Sequence, residues 1–258
     1  MRFLWLFIII GALFFSCKKN TIAAPEDMPP LGSGNTSSLS IQIDHVVNGS
    51  TLALGTQTYA ASNNQVFSVT SFKYYFTNIS LTNHHGDVVI VPGSYYLIDE
   101  ANPLSRVINL SNIPPDDYTT LSFMIGVDSH QNTSGAQAGA LDPLNGMFWD
   151  WNSGYIMAKM EGASPQSGSS IKDLSFHIGG FNGANSGVRT VTLSLPVNAQ
   201  VQTGHQPKIT LSADLAKWFT SVNTISFATV YSITSVNAVS KSIADNYATM
   251  FTVTSVTN

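Results

Sequence analysis

The chain has 258 residues, of which 43% are hydrophobic and 10% are charged, a composition that excludes a disordered polyelectrolyte and supplies enough apolar side chains for a core. Eleven Lys and Arg residues against fifteen Asp and Glu residues give a formal net charge of -4, so no broad cationic surface exists for binding nucleic acid. Nineteen Gly and eleven Pro residues favour short strands joined by turns. We therefore expect an all-β protein.

The first 16 residues have the pattern of an export signal. Arg2 precedes an apolar run from Phe3 to Phe15, which is shorter than the ~20 residues that span a bilayer. The single cysteine, Cys17, directly follows the small residue Ser16, and this arrangement resembles a bacterial lipobox, in which the cysteine is lipid-modified and becomes the new N-terminus. Residues 1–16 are thus predicted to be a lipoprotein signal peptide. The alternative is an ordinary signal peptide whose cleavage removes Cys17.

Residues 17–38 are rich in Pro, Gly, Ser and Asn and have no apolar periodicity, which predicts a flexible tether. The acyl chains on Cys17 would hold the protein to a membrane, and the tether would let the domain stand away from it. The expected location is the bacterial cell envelope, as an outer-membrane lipoprotein on the periplasmic or the cell-surface face.

Residues 39–258 are predicted to form one β domain. Between Leu39 and Val47 the apolar side chains stand mostly at odd positions, a period of two that predicts a strand with one buried face. Further strands are predicted at 65–70, 72–82, 88–98, 118–126, 154–161, 174–178, 188–195, 208–213 and 224–230, and short helices at 214–219 and 240–251. This pattern predicts an antiparallel β-sandwich or irregular barrel with long loops and one or two short helices.

A long segment, residues 128–152, interrupts this series of strands. Loops of this length are uncommon in a compact domain and are more often functional than idle. The segment contains Trp149-Asp150-Trp151, in which extended backbone would place both indoles on one face. The two tryptophans are candidates for a wall beside a metal, and the alternative is that they fill the core.

Several stretches resemble the MbnP-like family of exported copper-binding proteins, which are related to copper-repressible surface proteins of methane-oxidising bacteria. The matching stretches are Phe72-Lys-Tyr-Tyr-Phe-Thr-Asn78, Tyr96-Leu-Ile-Asp99, Ile125-Gly-Val-Asp128, Leu141-Asp142-Pro143, Asn145-Gly146-Met147, Trp149-x-Trp151-x-x-Gly154-Tyr155, Phe176-His177-Ile178-Gly179 and Ile243-Ala-Asp-Asn246-Tyr. The resemblance implies a β-rich domain in which histidine nitrogens coordinate copper. It also implies that a nearby tryptophan, Trp149 or Trp151, is oxidised to kynurenine by a di-haem peroxidase-like partner.

Two of the six histidines match family positions and are the predicted copper ligands. His177 stands in the Phe-His-x-Gly stretch, and His45 matches a strand histidine of the family. The alternative for each is a strand histidine that bonds to a backbone carbonyl. Where better studied relatives carry a ligand histidine two residues after the modified tryptophan, this chain has Trp151. Where relatives often carry a Met-His pair, it has Ile233-Thr-Ser-Val236.

Asp128, Asn132 and Asp142 supply the oxygen donors that calcium prefers, although their spacing differs from that of an EF-hand and could equally serve turn capping. They define the rival prediction of a calcium-dependent surface adhesion or glycan-binding module in which the indoles stack on sugars. No hydrolase, metalloprotease, phosphate-loop or dinucleotide motif occurs in the sequence. We therefore expect a binding protein and not an enzyme.

Overall fold

The computed structural model describes residues 37–135, 137–150 and 154–258, apart from the side chain of Asp150. The predicted signal peptide, Cys17, nearly all of the predicted tether and Trp151 lie outside these residues. The described strands are β1 (Ser37–Val47), β2 (Ser50–Thr51), β3 (Thr58–Ala60), β4 (Val66–Asn83), β5 (Val88–Ile90), β6 (Tyr95–Asp99), β7 (Val107–Ile113), β8 (Asp116–Ile125), β9 (Phe148–Asp150), β10 (Gly154–Ala163), β11 (Asp173–Gly179), β12 (Arg189–Val201), β13 (Lys208–Asp214), β14 (Ser232–Ile233) and β15 (Phe251–Thr257). The helices are α1 (Ser129–Asn132), α2 (Ala238–Tyr247) and the 3-10 helices Pro103–Arg106, Gly139–Leu141, Pro143–Asn145 and Leu215–Trp218.

The described strands form two sheets. In the first, β15, β13, β1 and β2 are neighbours in that order, and β7 also pairs with β1. The second has the order β12-β8-β4-β10-β11-β14, with β3, β5 and β6 added along β4 and β9 along β10. Most pairs are antiparallel, whereas β1 with β13 and β11 with β14 are parallel. The predicted all-β sandwich class is confirmed.

The main core lies between the two sheets, because each sheet directs its apolar side chains towards the other. Within β4, alternation places Phe72, Tyr74 and Phe76 in this core. The rings of Tyr74 and Phe76 make edge-to-face contacts with Phe251, which belongs to the opposite sheet. We call this side of the ten-stranded sheet its inner face. Tyr75 points the other way, to the outer face.

A second apolar cluster covers part of the outer face. Tyr75 lies there with Val127, Leu141, Met147 and Tyr155, all of which are buried. Leu141 and Met147 belong to the long segment after Asp128, so this segment folds back over the sheet and covers it. The segment predicted as a long loop therefore contains α1, two 3-10 helices and β9, and it shapes the surface on the outer face.

Some predicted elements differ from the structure. Residues 224–230 form no strand, because the Gln65 side chain bonds to the backbone of Ile225 and Phe227 and takes the place of a strand partner. The last helix begins earlier than predicted, since Asn237 caps it by accepting hydrogen bonds from the N–H groups of Val239 and Ser240. It ends at Tyr247, and Phe251 already belongs to β15. Among the described residues no helix is long and apolar enough to cross a membrane.

Candidate metal-binding site

His45 is buried in the core between the sheets, with 1% of its surface exposed. Its Nδ1 lies 2.7 Å from Oε2 of Glu100, and its Nε2 lies 2.8 Å from the Tyr74 hydroxyl. The ring also meets Phe72 edge to face, with 4.9 Å between ring centroids. Both ring nitrogens are thus occupied by protein partners.

These contacts define the protonation state of His45. Burial lowers the pKa of the imidazole, and this effect outweighs the hydrogen bond to Glu100, which acts in the opposite direction. Burial also raises the pKa of Tyr74 well above its ordinary value, so the phenol keeps its proton. We therefore assign a neutral ring that donates from Nδ1 to Glu100 and accepts at Nε2 from Tyr74. A metal ligand at either nitrogen would have to replace one of these hydrogen bonds.

The partner of His45 was missed by the sequence analysis. Glu100 is adjacent to Asp99, yet the two carboxylates have different partners. Asp99 forms an ion pair with Lys73 at 3.0 Å. Glu100 contacts His45 and also lies 3.4 Å from Arg106 Nη1. Only 8% of the Glu100 side chain is exposed. The sequence offered one signal for Glu100: it is a carboxylate directly after a strand, with an arginine a few residues later. This signal does not indicate which histidine the carboxylate contacts.

His177 lies on the outer face. Along β11, Phe176 and Ile178 belong to the main core, so alternation turns His177 away from it. His177 Nε2 is 2.8 Å from Glu161 Oε1, and the Ser175 hydroxyl is 3.4 Å from the same nitrogen. The side chain of His177 is 18% exposed and that of Glu161 is 36% exposed, so this pair is open to solvent.

The structure does not bring His45 and His177 together. His45 contacts Phe72 and Tyr74 on the inner face of β4. His177 on β11 stands opposite Lys159 on β10, and Lys159 stands opposite Lys73 on β4. Lys73 lies between Phe72 and Tyr74 in β4 and points to the outer face. The ten-stranded sheet therefore separates the two imidazoles, and the predicted two-histidine copper centre is not assembled.

Trp149 packs directly on β11 at Gly179. Its six-membered ring lies so close to the Cα of Gly179 that a Cβ at this position would overlap it. Gly179 is two residues from His177 on the same strand, and side chains at i and i+2 share a face. The indole therefore covers the face of β11 that also carries His177. Trp149 also lines a surface cavity of about 410 Å³ with Phe181 and the Thr234–Val236 segment.

The three predicted oxygen donors are engaged in local hydrogen bonds. Asp128 caps α1 through Gln131 N and also accepts from Asn78 Nδ2 and the Tyr95 hydroxyl. Desolvation acts to raise the pKa of Asp128, but the hydrogen bonds from Tyr95 and Asn78 prevail and lower it. The cost of burial and the bond to Asp128 raise the pKa of Tyr95 to about 12.

Asn132 and Asp142 have similar structural tasks. Asn132 donates to the carbonyls of Val127 and Asp128 and accepts from Tyr155 N, so it fastens the start of the long segment to β10. Asp142 caps the 3-10 helix Pro143–Asn145 through Leu144 N. Within the described part of the chain no group of three or more His, Cys, Asp or Glu side chains is arranged to hold a metal ion.

Comparison with known proteins gives the identity of this fold. The family model named MbnP matches residues 36–238, most of the chain. The chain belongs to the MbnP family. The solved structure of MbnP from Methylosinus trichosporium is similar, with a TM-score of 0.53 at 16% sequence identity over 79% of this chain and 83% of the other. At that identity the likeness concerns the fold alone. Comparison with curated proteins gives no match.

The two histidines of this MbnP family member differ in how accessible they are to a metal. Both nitrogens of buried His45 are hydrogen-bonded, so a metal there would leave a buried group without its partner. His177 Nε2 and Glu161 Oε1 are also hydrogen-bonded, at 2.8 Å, but this pair is partly exposed. The imidazole and the carboxylate could therefore exchange their hydrogen bond for a shared ion, with solvent available to the displaced groups.

Proposed function

We propose that this protein is an exported, lipid-anchored metal-binding protein that holds copper at His177 and Glu161 on the outer face, beside Trp149. The observation that carries the proposal is the packing of the Trp149 indole on Gly179, on the face of β11 that also carries His177. Membership of the MbnP family supports the choice of copper, and the pattern of residues 1–17 supports export and lipid attachment at Cys17.

The donor set favours the oxidised ion. Nitrogen and oxygen ligands suit Cu(II), whereas Cu(I) prefers softer thiolate and thioether donors. Nε2 of His177 and Oε1 of Glu161 would hold the ion, and the Ser175 hydroxyl is a nearby third donor. The pair is open to solvent, so water could supply further ligands.

Lys159 opposes metal binding at this site. Its ammonium group lies 3.1 Å from the same Glu161 oxygen that would bind copper. Hydrogen bonds from His177 and Lys159, together with their charges, lower the pKa of Glu161 in spite of its partial desolvation, so the carboxylate is ionised and available. The metal must displace the lysine, and Lys159→Gln is therefore expected to strengthen copper binding.

Trp149 is the proposed oxidation target. Conversion of an indole to kynurenine breaks the C2–C3 bond, adds an oxygen atom at each of these carbons and then releases C2 as formate by hydrolysis. It needs an oxidant from outside the polypeptide, and two equivalents of peroxide would supply both oxygen atoms and leave as water. The family resemblance assigns that role to a di-haem peroxidase-like enzyme, which would reach Trp149 through the adjoining surface cavity. In this proposal copper binding and tryptophan oxidation share the outer face, while His45 is structural.

Metal analysis of protein purified from its own host tests the proposal. We expect copper at a level that falls to background in His177→Ala and is retained in His130→Ala, which removes an exposed histidine on α1. Intact-protein and peptide mass spectrometry then locates any kynurenine at Trp149. Host-purified protein that contains no copper, or copper that survives the loss of His177, would refute this site.

A further inference from the structure

The β4–β5 hairpin carries two adjacent histidines at its tip. The chain turns there between Asn83, the last residue of β4, and Asp87. Asn83 is buried, and its Oδ1 accepts hydrogen bonds from the N–H groups of His85 and Asp87. Its Nδ2 donates to Asp87 Oδ2 and to Asp116 Oδ2. The amide thus fixes the backbone that presents the two histidines.

The imidazoles of His84 and His85 are in contact. Their ring centroids are 3.7 Å apart with an angle of 42° between the planes, although both residues are exposed. His84 N also donates to the carbonyl of Asp117 on β8, which fastens the tip to the neighbouring strand. Because both side chains are exposed, the rings can turn out of this contact until a nitrogen of each faces one transition-metal ion.

Asp116 orients one of the two rings. His84 Nδ1 lies 3.2 Å from Asp116 Oδ1, in a pair whose side chains are 45% and 25% exposed. A histidine that binds a metal through one ring nitrogen typically donates its other N–H to a carboxylate, which fixes the tautomer. Asp116 therefore leaves His84 Nε2 free to face solvent and a metal.

Two carboxylates lie at the base of the tip. Asp87 and Asp116 both accept hydrogen bonds from Asn83 Nδ2, and Asp116 also contacts His84. Their negative charge favours the binding of a cation here.

We propose that this hairpin tip is a second metal site, which binds zinc through the imidazoles of His84 and His85. Asp116 acts as the residue that positions His84, and solvent supplies the remaining ligands. The site is independent of His177 and Trp149, because it is built from the β4–β5 turn and the start of β8.

Titration of the full protein with zinc chloride, followed by calorimetry and by the NMR signals of the histidine rings, tests this site. We expect the His84 and His85 signals to respond together, and His84→Ala or His85→Ala to weaken zinc binding at the tip by more than about tenfold. Asp116→Asn keeps an oxygen that can accept the hydrogen bond from Asn83 but removes the negative charge. We expect this substitution to weaken zinc binding by about tenfold. Asp117→Asn, the neighbouring carboxylate, is the matched control and should leave the affinity unchanged.

Two further variants separate this proposal from the outer-face copper site. His177→Ala should leave zinc binding at the tip intact, and His84→Ala should leave copper at His177 intact. Since both hairpin histidines are exposed, an unchanged unfolding midpoint will show that their variants are folded. Zinc affinity that is the same in the His84→Ala/His85→Ala double variant, or ring signals of His84 and His85 that do not move, would overturn the proposal.

Discussion

His45 Nδ1 and the Glu100 carboxylate meet at 2.7 Å in the core of the sandwich and join strands from different sheets. The contact connects β1 of the five-stranded sheet with the end of β6 in the ten-stranded sheet. Tyr74 on the other side of the ring extends the connection to β4. Because one partner is a histidine and the other a carboxylate, this packing contact depends on pH.

Glu100→Ala should lower the free energy of unfolding by about 1–3 kcal/mol, the usual cost of leaving a buried polar group without its hydrogen-bond partner. The substitution leaves His45 Nδ1 and Arg106 without their shared acceptor, and Arg106 Nε already lacks a hydrogen-bond partner among the described residues. Asp99→Ala is the control, because the neighbouring, partly exposed pair with Lys73 should contribute at most about 1 kcal/mol. Chemical denaturation measures both. Equal losses would contradict the buried role of Glu100.

Stability should decrease as the pH falls below the ordinary histidine value of 6.5, because burial lowers the pKa of His45 in the folded protein. The unfolded chain then binds a proton that the folded chain does not, so stability is present above pH 6.5 and is lost as the pH falls through the folded pKa. Through this one group, the free energy of unfolding changes by at most about 1.4 kcal/mol per pH unit.

Denaturation at a series of pH values compares the wild type with His45→Gln, which keeps a polar side chain but does not titrate. The variant should show a shallower loss of stability as the pH falls below 6.5. Carboxylates with lowered pKa values, such as Asp116 and Asp128, change the free energy of unfolding only at lower pH. They are present in both the wild type and the variant, so their effect cancels in the comparison. Identical pH profiles would contradict the prediction, because they would mean that the pKa of His45 is the same in the folded and the unfolded protein.

Gly179→Ala should destabilise the protein by about 1–3 kcal/mol, the typical cost of overpacking, because the added methyl group would occupy the space of the Trp149 ring. The same substitution in a Trp149→Ala background should cost much less. This double-mutant cycle, measured by chemical denaturation, isolates the contact between the two residues. Additive effects would mean that the indole does not lie on Gly179.

Asp128→Ala should lower the free energy of unfolding by about 1–2 kcal/mol through loss of the α1 cap. The loss should be the same in EDTA and in calcium, since the carboxylate is occupied by Gln131 N, Asn78 and Tyr95. Thermal unfolding of the wild type tests the rival prediction of a calcium-dependent adhesion or glycan-binding module. That prediction gains support if EDTA lowers the melting temperature and if calcium, but not copper, restores it.

Local alternation was enough to predict much of the strand content. His45 stands at an odd position with Ile41 and Ile43, so a buried side chain followed from the period of two, and His177 is out of phase with Phe176 and Ile178. The strands that were missed, such as β2 and β14, are two residues long and carry too short a pattern to be recognised. Residues 224–230 were misread because a side chain from distant Gln65 satisfies their backbone.

The sequence by itself determined the fold class, the family and the burial of His45, because alternation and motif spacing are properties of neighbouring residues. Only the tertiary structure decided that His45 bonds to Glu100, that His177 lies across the sheet from it, and that Trp149 covers Gly179. Those relations depend on strand register and on how the long segment folds over the outer face, and both are set by packing between residues far apart in the chain.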